Sequence, residues 1–166
     1  MPNDLHWVDG PWPGRLAIEP RPRGGDWLGR DLADWKSAGA RVVLSLLTSA
    51  EEQELGLAAE NAEVVRQGLE FMSLPIPDRR VPNSEIKFGQ VLERLDRELD
   101  SGKNVIVHCR QGIGRSGLVA ACLLIGKGLS PGAAVSAVSA ARGVPIPETK
   151  EQREWIDHYS VALGPK

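Results

Sequence analysis

One short segment constrains this chain more than any other. Residues 105–117 read VIVHCRQGIGRSG, and they run into an apolar stretch that ends at Gly126. The β-branched start predicts a buried strand ending at Cys109, and the later stretch predicts a buried helix. Backbone N–H groups of a glycine turn between such elements converge on one point, where the helix N-terminus adds positive potential. The segment therefore predicts an anion-binding loop with a cysteine at its base.

The residue types in this loop suit the chemistry of phosphate. Positive potential favours the thiolate of Cys109, which is the nucleophilic form of cysteine. The planar guanidinium of Arg115 matches two phosphate oxygens at once. The chain has a net charge of −2, yet it contains no Asp or Glu from Ser101 to Pro147. The loop thus lies in a locally cationic third of the chain, which favours an anionic ligand.

Two other phosphate-binding patterns fit less well. Residues 112–117 match G-x-G-x-x-G, but a dinucleotide fold needs an acidic residue about 20 positions later, and none occurs before Glu148. A nucleoside-triphosphate loop needs Gly-Lys-Ser/Thr, which the segment lacks. A glycine turn with an incidental cysteine does not account for His, Cys, Arg and Ser occurring together.

The rest of the chain alternates between strand and helix patterns. Strands are predicted at 7–8, 16–18, 41–47, 69–76 and 104–108, and helices at 26–38, 49–65, 83–102, 115–127, from Ser130 and from Thr149. A capping box of Ser49 with Glu52 is expected to open the second helix. The third is expected to bury one face, formed by Ile86, Val91, Leu92, Leu95 and Leu99. This order predicts an α/β fold with a mainly parallel central sheet flanked by helices, in a single domain over residues 1–166.

Composition narrows the cellular setting. The two cysteines, Cys109 and Cys122, form neither a disulfide framework nor a zinc-ligand set, which favours a reducing cytoplasm and no metal. Cys122 lies in an apolar run and is expected to be a buried small hydrophobe. No signal peptide is visible, and the longest apolar stretch is shorter than a membrane span. We expect a cytoplasmic monomer that binds neither nucleic acid nor membrane.

The pattern His108-Cys109-x5-Arg115-Ser116 resembles the signature of the protein tyrosine phosphatase superfamily. The small size resembles its dual-specificity branch. Residues 74–78, LPIPD, are similar to the general-acid loop of that family, and residues 147–152, PETKEQ, to a later segment of the kinase-associated phosphatases. The resemblance implies a dual-specificity-phosphatase-like fold. It also implies an enzyme that hydrolyses phosphotyrosine, and also phosphoserine and phosphothreonine, in protein substrates and that needs no cofactor.

The resemblance also implies roles for individual residues. Cys109 would attack phosphorus and form a phosphocysteine, and Arg115 would bind the equatorial oxygens. Ser116 would hydrogen-bond the thiolate and help it leave, while Asp78 would protonate the leaving oxygen. Asp78 precedes Cys109 by 31 residues, so its loop is expected at the same sheet edge; the alternative is a simple turn residue. The phosphate would be lined by Arg110, Gln111, Gly112, Ile113, Gly114 and Arg115.

Two supporting residues have two open interpretations each. His108 either supports the loop and the thiolate from behind, or is a satisfied core histidine at a strand end. Gln152 either positions the hydrolytic water, as in relatives, or forms a capping box with Thr149.

Departures from the family bear on the substrate. Ile76 stands where the larger tyrosine-specific enzymes have Trp, and the single tyrosine, Tyr159, lies near the end of the chain. The loop also lacks the lysines of lipid-directed relatives, which favours phosphoprotein over phosphoinositide and leaves RNA 5′-phosphate open. A non-catalytic phosphate-binding pseudophosphatase is the main alternative. A rhodanese or arsenate reductase fits less well, because of the five-residue spacing, the serine after Arg115 and the lack of a well-placed second redox cysteine.

Overall fold

The computed structural model describes residues 4–164. Its strands are β1 (Trp7–Val8), β2 (Leu16–Pro20), β3 (Ala40–Ser45), β4 (Glu70–Ser73) and β5 (Asn104–Cys109). Its helices are α1 (Leu28–Ser37), α2 (Ser49–Glu54), α3 (Glu60–Arg66), α4 (Glu85–Asp100), α5 (Gly114–Gly126), α6 (Pro131–Arg142) and α7 (Lys150–Leu163). The ends of the single domain predicted over residues 1–166 lie outside the described residues, and its extent stays a prediction.

The five strands form one sheet in the order β1-β2-β5-β3-β4. β5 lies between β2 and β3 and is parallel to both, and β3 is parallel to β4. Only the β1–β2 pair is antiparallel among the strands of residues 4–164. The prediction of a mainly parallel α/β sheet is therefore confirmed. Because β5 is central, its last residue, Cys109, emerges in the middle of the edge where ligands bind in such sheets.

The two faces of the sheet carry separate apolar layers. Val105 and Val107 of β5 pack in the layer that includes α4 and α5, whereas Ile106 packs in the layer of α1 and α3. Every residue of α5 before Gly126 is buried, which explains why this helix has no polar face. Because α5 is enclosed on all sides, the loop that enters it has a rigid support.

The prediction of one helix over 49–65, opened by a capping box of Ser49 with Glu52, is wrong in two respects. The segment forms two helices, α2 and α3, because the chain turns at Gly56 with a left-handed φ of 72°. The capping box also lies one residue earlier than predicted. Thr48 Oγ1 accepts a hydrogen bond from the backbone N–H of Glu51, and the Glu51 carboxylate accepts one from the Thr48 N–H. The pair of Ser49 with Glu52 does not form the box.

The buried face of α4 also differs from the prediction at one position. Ile86 is 76% exposed, whereas Phe88 is fully buried. The helix begins at Glu85, so Ile86 lies in the first turn and faces solvent. Phe88 packs edge-on against the rings of Trp155 and Tyr159 on α7. Later helix starts agree with the sequence, since Ser130 caps α6 and Thr149 caps α7.

Within residues 4–164, none of the helices has the length and apolar character that a membrane crossing requires.

Candidate active site

The loop between β5 and α5 is shaped by Gly112. Its φ is 71°, and a Cβ at this position would overlap the backbone of Glu19 and Pro20 on the neighbouring strand. Only glycine accepts both constraints. The Gly112 N–H points into the loop and donates to Cys109 Sγ at 3.3 Å. Cys109, which is 2% exposed, thus lies at the base of an inward-facing backbone cradle.

Arg142, at the end of α6, holds the outside of this loop. Its Nε donates to the carbonyl of Gly112 at 3.0 Å and its Nη2 to the carbonyl of Gln111 at 3.1 Å. Its Nη1 lies 3.1 Å from Nε2 of His6, whose Nδ1 lies 3.0 Å from Glu19 Oε2. Arginine only donates, so His6 accepts with Nε2 and donates with Nδ1. Sequence reasoning missed this role, because Arg142 reaches the loop only through the fold of α6.

Arg115, in the first turn of α5, is 1% exposed and held by carboxylates. Its Nη1 and Nη2 donate to the two oxygens of Glu51 at 2.7 and 2.9 Å. Nη1 also donates to the carbonyl of Ile76 at 2.7 Å, and Nη2 to Asp78 Oδ1 at 3.0 Å. Burial lowers the pKa of Arg115, but Glu51, Cys109 and Asp78 outweigh that effect and raise it. The guanidinium is therefore fixed, charged and close to the nucleophile.

Glu51 is a site residue that the sequence did not single out. Burial raises its pKa, but hydrogen bonds from Arg115 and the Thr48 backbone, with the charge of Arg115, lower it to about 2. The carboxylate therefore has two functions, because it closes the capping box of α2 and orients Arg115. The only sequence signal is its place in the first turn of a helix that follows a buried strand.

Asp78 lies in the loop after β4, where the sequence placed it. It is half-exposed, paired with Arg115 and 3.8 Å from Nε of Arg110. Two other carboxylates, on α4, have partners elsewhere. Asp96 accepts from Trp12 and pairs with Lys127. Asp100 also pairs with Lys127. Asp78 is thus the predicted acid that the fold brings to Arg115.

The other predicted phosphate-lining residues differ in what their side chains do. Arg110 turns toward α2, where Nε and Nη2 lie 3.2 and 3.1 Å from Glu51 and Glu54. Gln111 is exposed, Ile113 packs on the core, and Gly114 is buried. What these residues share at the loop is therefore their backbone, and binding of phosphate by them stays a prediction.

Ser116 follows Arg115 and is fully buried. Among residues 4–164 its Oγ has no hydrogen-bond partner. The role of Ser116 as a hydrogen-bond donor to the Cys109 sulfur stays a prediction.

Gln152 forms the capping box that was one of its two interpretations. Its Oε1 accepts from the N–H groups of Glu148 and Thr149, and its Nε2 donates to the carbonyl of Arg80. A Cβ at Gly114 would come within 2.9 Å of the Gln152 amide. The side chain therefore joins α7, the loop after Asp78 and the start of α5, and the role in positioning water stays a prediction.

The two cysteines differ sharply in their surroundings. Cys122 is fully buried within α5, and burial raises its pKa well above the ordinary value. Cys109 instead accepts the Gly112 N–H and lies near Arg115. Across residues 4–164 there is no cluster of three or more His, Cys, Asp or Glu side chains suited to a metal ion.

The fold and this loop together define a phosphatase domain of the dual-specificity protein tyrosine phosphatase class. The family described as PTP-SAK, Swiss Army Knife protein, DSP-PTPase phosphatase domain, matches residues 2–155. The chain therefore belongs to this family.

Individual relatives agree with this assignment. Cyclin-dependent kinase inhibitor 3 from Rattus norvegicus is 27% identical over 137 residues, which cover 81% of this chain and 64% of that protein. The chain thus spans less than two thirds of that relative. Tk-PTP in its active form is 30% identical with a TM-score of 0.75, covering 89% of this chain and 92% of the other. Kinase associated phosphatase, with its catalytic-site cysteine replaced by serine, has a TM-score of 0.78 at 23% identity, over 90% and 86% of the two chains.

Proposed function

We propose that this chain hydrolyses phosphate monoesters on protein side chains through a phosphocysteine on Cys109. One observation carries the proposal. Cys109, Arg115 and Asp78 come from β5, α5 and the loop after β4, and they meet at the carboxyl edge of the sheet, with Arg115 bonded to Asp78 at 3.0 Å. A nucleophile, a cation for the phosphoryl oxygens and an acid for the leaving group are the parts that this reaction needs.

In the first step, the Cys109 thiolate forms a bond to phosphorus while the ester P–O bond breaks. The electrons of that bond go to the leaving oxygen, which takes a proton from Asp78. Arg115 and the loop N–H groups hold the three phosphoryl oxygens, where charge concentrates in the transition state. A phosphoryl oxygen that takes the Nη2 donor of Arg115 displaces Asp78, which frees the carboxyl group to face the leaving oxygen.

In the second step, water attacks the phosphocysteine and gives its proton to the Asp78 carboxylate. The S–P bond breaks, inorganic phosphate forms, and the thiolate leaves. The Ser116 hydroxyl, which lacks a partner within residues 4–164, donates to the departing sulfur. The sum is one ester and one water converted to one alcohol and one phosphate, with no metal or cofactor in any step.

The proposed substrate is a phosphorylated protein, with phosphotyrosine ahead of phosphoserine and phosphothreonine. An aryl oxygen leaves more easily than an alkyl oxygen, so a thiolate phosphatase gains rate on phosphotyrosine without a special pocket. The side chain of Arg110 pairs with Glu51 and Glu54, so its charge is already matched and is not free for the additional phosphates of a lipid headgroup.

The proposed setting is a cytoplasmic monomer. Both cysteines are free and buried, which fits a reducing compartment. The net charge of −2 gives no support to nucleic-acid binding.

The test compares the wild type with Cys109→Ser and, as a matched control, Cys122→Ala. Release of phosphate is measured from an aryl phosphate and from phosphopeptides, with a chelator present throughout. We expect the wild type and Cys122→Ala to turn over and Cys109→Ser to be inactive while it still binds phosphate. Phosphate binding without turnover by the wild type would instead identify a pseudophosphatase, and a strict need for added magnesium or manganese would also contradict the proposal.

A further inference from the structure

A buried acid–imidazole pair lies on the side of the sheet opposite Cys109. His108 Nε2 is 2.6 Å from Oε2 of Glu60, the first residue of α3, and neither side chain is exposed. Side chains alternate along a strand, so His108 projects from the α1/α3 face while Cys109 projects from the other. The pair is therefore directly behind the nucleophile and does not touch the phosphate cradle.

Both members of the pair keep an unused polar atom. Within residues 4–164, Glu60 Oε1 and His108 Nδ1 have no hydrogen-bond partner. An apolar pair of the same volume would avoid that cost, since a buried ion pair is often no more stable than well-packed hydrophobic residues. Stability alone therefore does not explain a buried acid–imidazole pair at this position.

With Glu60 ionised, its carboxylate can only accept, and His108 Nε2 is then the donor. Whether Nδ1 carries a second proton decides the charge of the ring. The charges on the elements around the ring decide which of these two protonation states is favoured.

Several carboxylates share the surroundings of His108. Glu19 on β2 and the neutral Ser45 on β3 are the residues opposite His108 in the strand register. Their side chains therefore lie on the same face of the sheet as the imidazole. On α2, burial and Glu60 raise the pKa of Glu52, whereas His108 acts in the opposite direction. The ring of Trp35 on α1 packs against the imidazole, with 5.8 Å between the two ring centroids. These carboxylates surround the ring from β2, α2 and α3, although Glu19 is itself bonded to His6, which contacts Arg142. An anionic environment favours the imidazolium.

We propose that Glu60 is a positioning residue for the nucleophile: through its bond to Nε2 it holds His108 as an imidazolium behind Cys109, where the cation stabilises the thiolate. The inference rests on the proposed role of Cys109 in hydrolysis and adds the residue that prepares it. Glu60 does not touch the substrate, and its whole effect passes through His108.

The test follows the reactivity of Cys109 toward iodoacetamide as a function of pH, with the alkylated residue identified by peptide mass spectrometry. In Glu60→Gln the acceptor remains but the charge is lost, so the imidazole becomes neutral and the thiolate forms at higher pH. We expect the alkylation profile to move to higher pH, with a rate on its acidic side about threefold to tenfold lower. The kcat/KM for an aryl phosphate should fall in parallel on its acidic limb.

The direction of the shift decides between the alternatives. If the imidazole of the wild type is neutral, loss of the Glu60 anion moves the profile to lower pH. If Glu60 is only structural, Glu60→Gln changes the alkylation rate by the same factor at every pH, and the profile does not move. Either result overturns the proposal. Glu63→Gln is the matched control, because Glu63 is on the same helix but pairs with Arg66.

A mutant cycle tests whether Glu60 acts through His108. In a His108→Gln background, Glu60→Gln should cause no further shift, whereas additive shifts would overturn the proposal. If Glu60→Gln does not fold, Glu60→Asp serves instead. Its shorter carboxylate should give a smaller shift in the same direction, and an unchanged profile would contradict the role.

Alkylation needs no turnover, so the two proposals fail separately. A wild type that is alkylated but does not hydrolyse phosphate esters contradicts the proposed function. A fully active wild type whose Glu60→Gln profile does not move contradicts only the role of Glu60.

Discussion

Asp78 Oδ1 lies 3.0 Å from Nη2 of Arg115, so the proposed acid and the proposed phosphate clamp are paired with each other in the unliganded chain. In the proposed mechanism, phosphate and Asp78 therefore compete for one donor, and binding of phosphate both occupies Arg115 and releases the acid.

The competition predicts opposite effects of Asp78→Asn on binding and on catalysis. Removal of the competing anion should tighten inhibition by inorganic phosphate. Loss of the acid should lower kcat/KM, which reports the first step, by roughly 10²–10⁴-fold for an alkyl phosphate, with much less loss for an ester of an acidic phenol. The basic limb of the pH profile should disappear. Steady-state kinetics on both esters check this, and an equal loss on both would indicate a structural role.

The carboxylate behind the clamp predicts a pH-dependent contribution to stability. The pKa of Glu51 is about 2 against an ordinary 4.5, and each pKa unit corresponds to about 1.4 kcal/mol. Glu51→Gln should therefore lower the free energy of unfolding by about 3 kcal/mol near neutral pH.

The sign follows from the lowered pKa. The contribution is fully present above about 4.5, the pKa of the unfolded state, and is lost as the pH falls toward about 2. Urea unfolding of the wild type and Glu51→Gln across this range should give curves that converge at low pH. A constant difference at every pH would mean that the charge of Glu51 is not responsible.

The bonds from Arg142 to the loop predict a defect in positioning. Arg142→Ala removes the donors to the carbonyls of Gln111 and Gly112, so the loop N–H groups lose their fixed direction. A misplacement of about 1 Å costs about 10²-fold, and we expect kcat/KM for an aryl phosphate to fall by about that factor. Arg153→Ala, on the exposed side of α7 where Arg153 pairs with Asp157, is the control. Normal kinetics in Arg142→Ala would show that the loop holds its shape without this residue.

The expected order of substrates is phosphotyrosine before phosphothreonine and phosphoserine. Matched phosphopeptides that differ only in the phosphorylated residue measure it as kcat/KM. Tyr159, the single tyrosine of the chain, stacks on Trp155, and its position on α7 keeps it in that aromatic cluster with Phe88. A higher kcat/KM on phosphothreonine, or on a phosphoinositide, would overturn the order.

Local features of the sequence predicted the central strand, the loop and α5, because their signals lie within residues 105–126. Asp78 was also predictable, since the carboxyl ends of parallel strands share one edge. Glu51, Arg142 and Glu60 were not. Their partners are 64, 30 and 48 residues away in sequence, and only packing of α2, α6 and α3 brings them to the loop. The sequence predicts Ile86 in the core because its spacing fits the apolar face of α4. The helix begins at Glu85, however, and a side chain in the first turn remains exposed.

The measurement that tests the account most directly is detection of the phosphoenzyme itself. The wild type, mixed with an aryl phosphate and quenched in acid within the first turnover, should carry one phosphoryl group on the peptide that contains Cys109. Asp78→Asn should retain more of it, because the base of the second step is missing. A chain that hydrolyses the ester but never carries phosphate on Cys109, or carries it on another residue, would contradict the account.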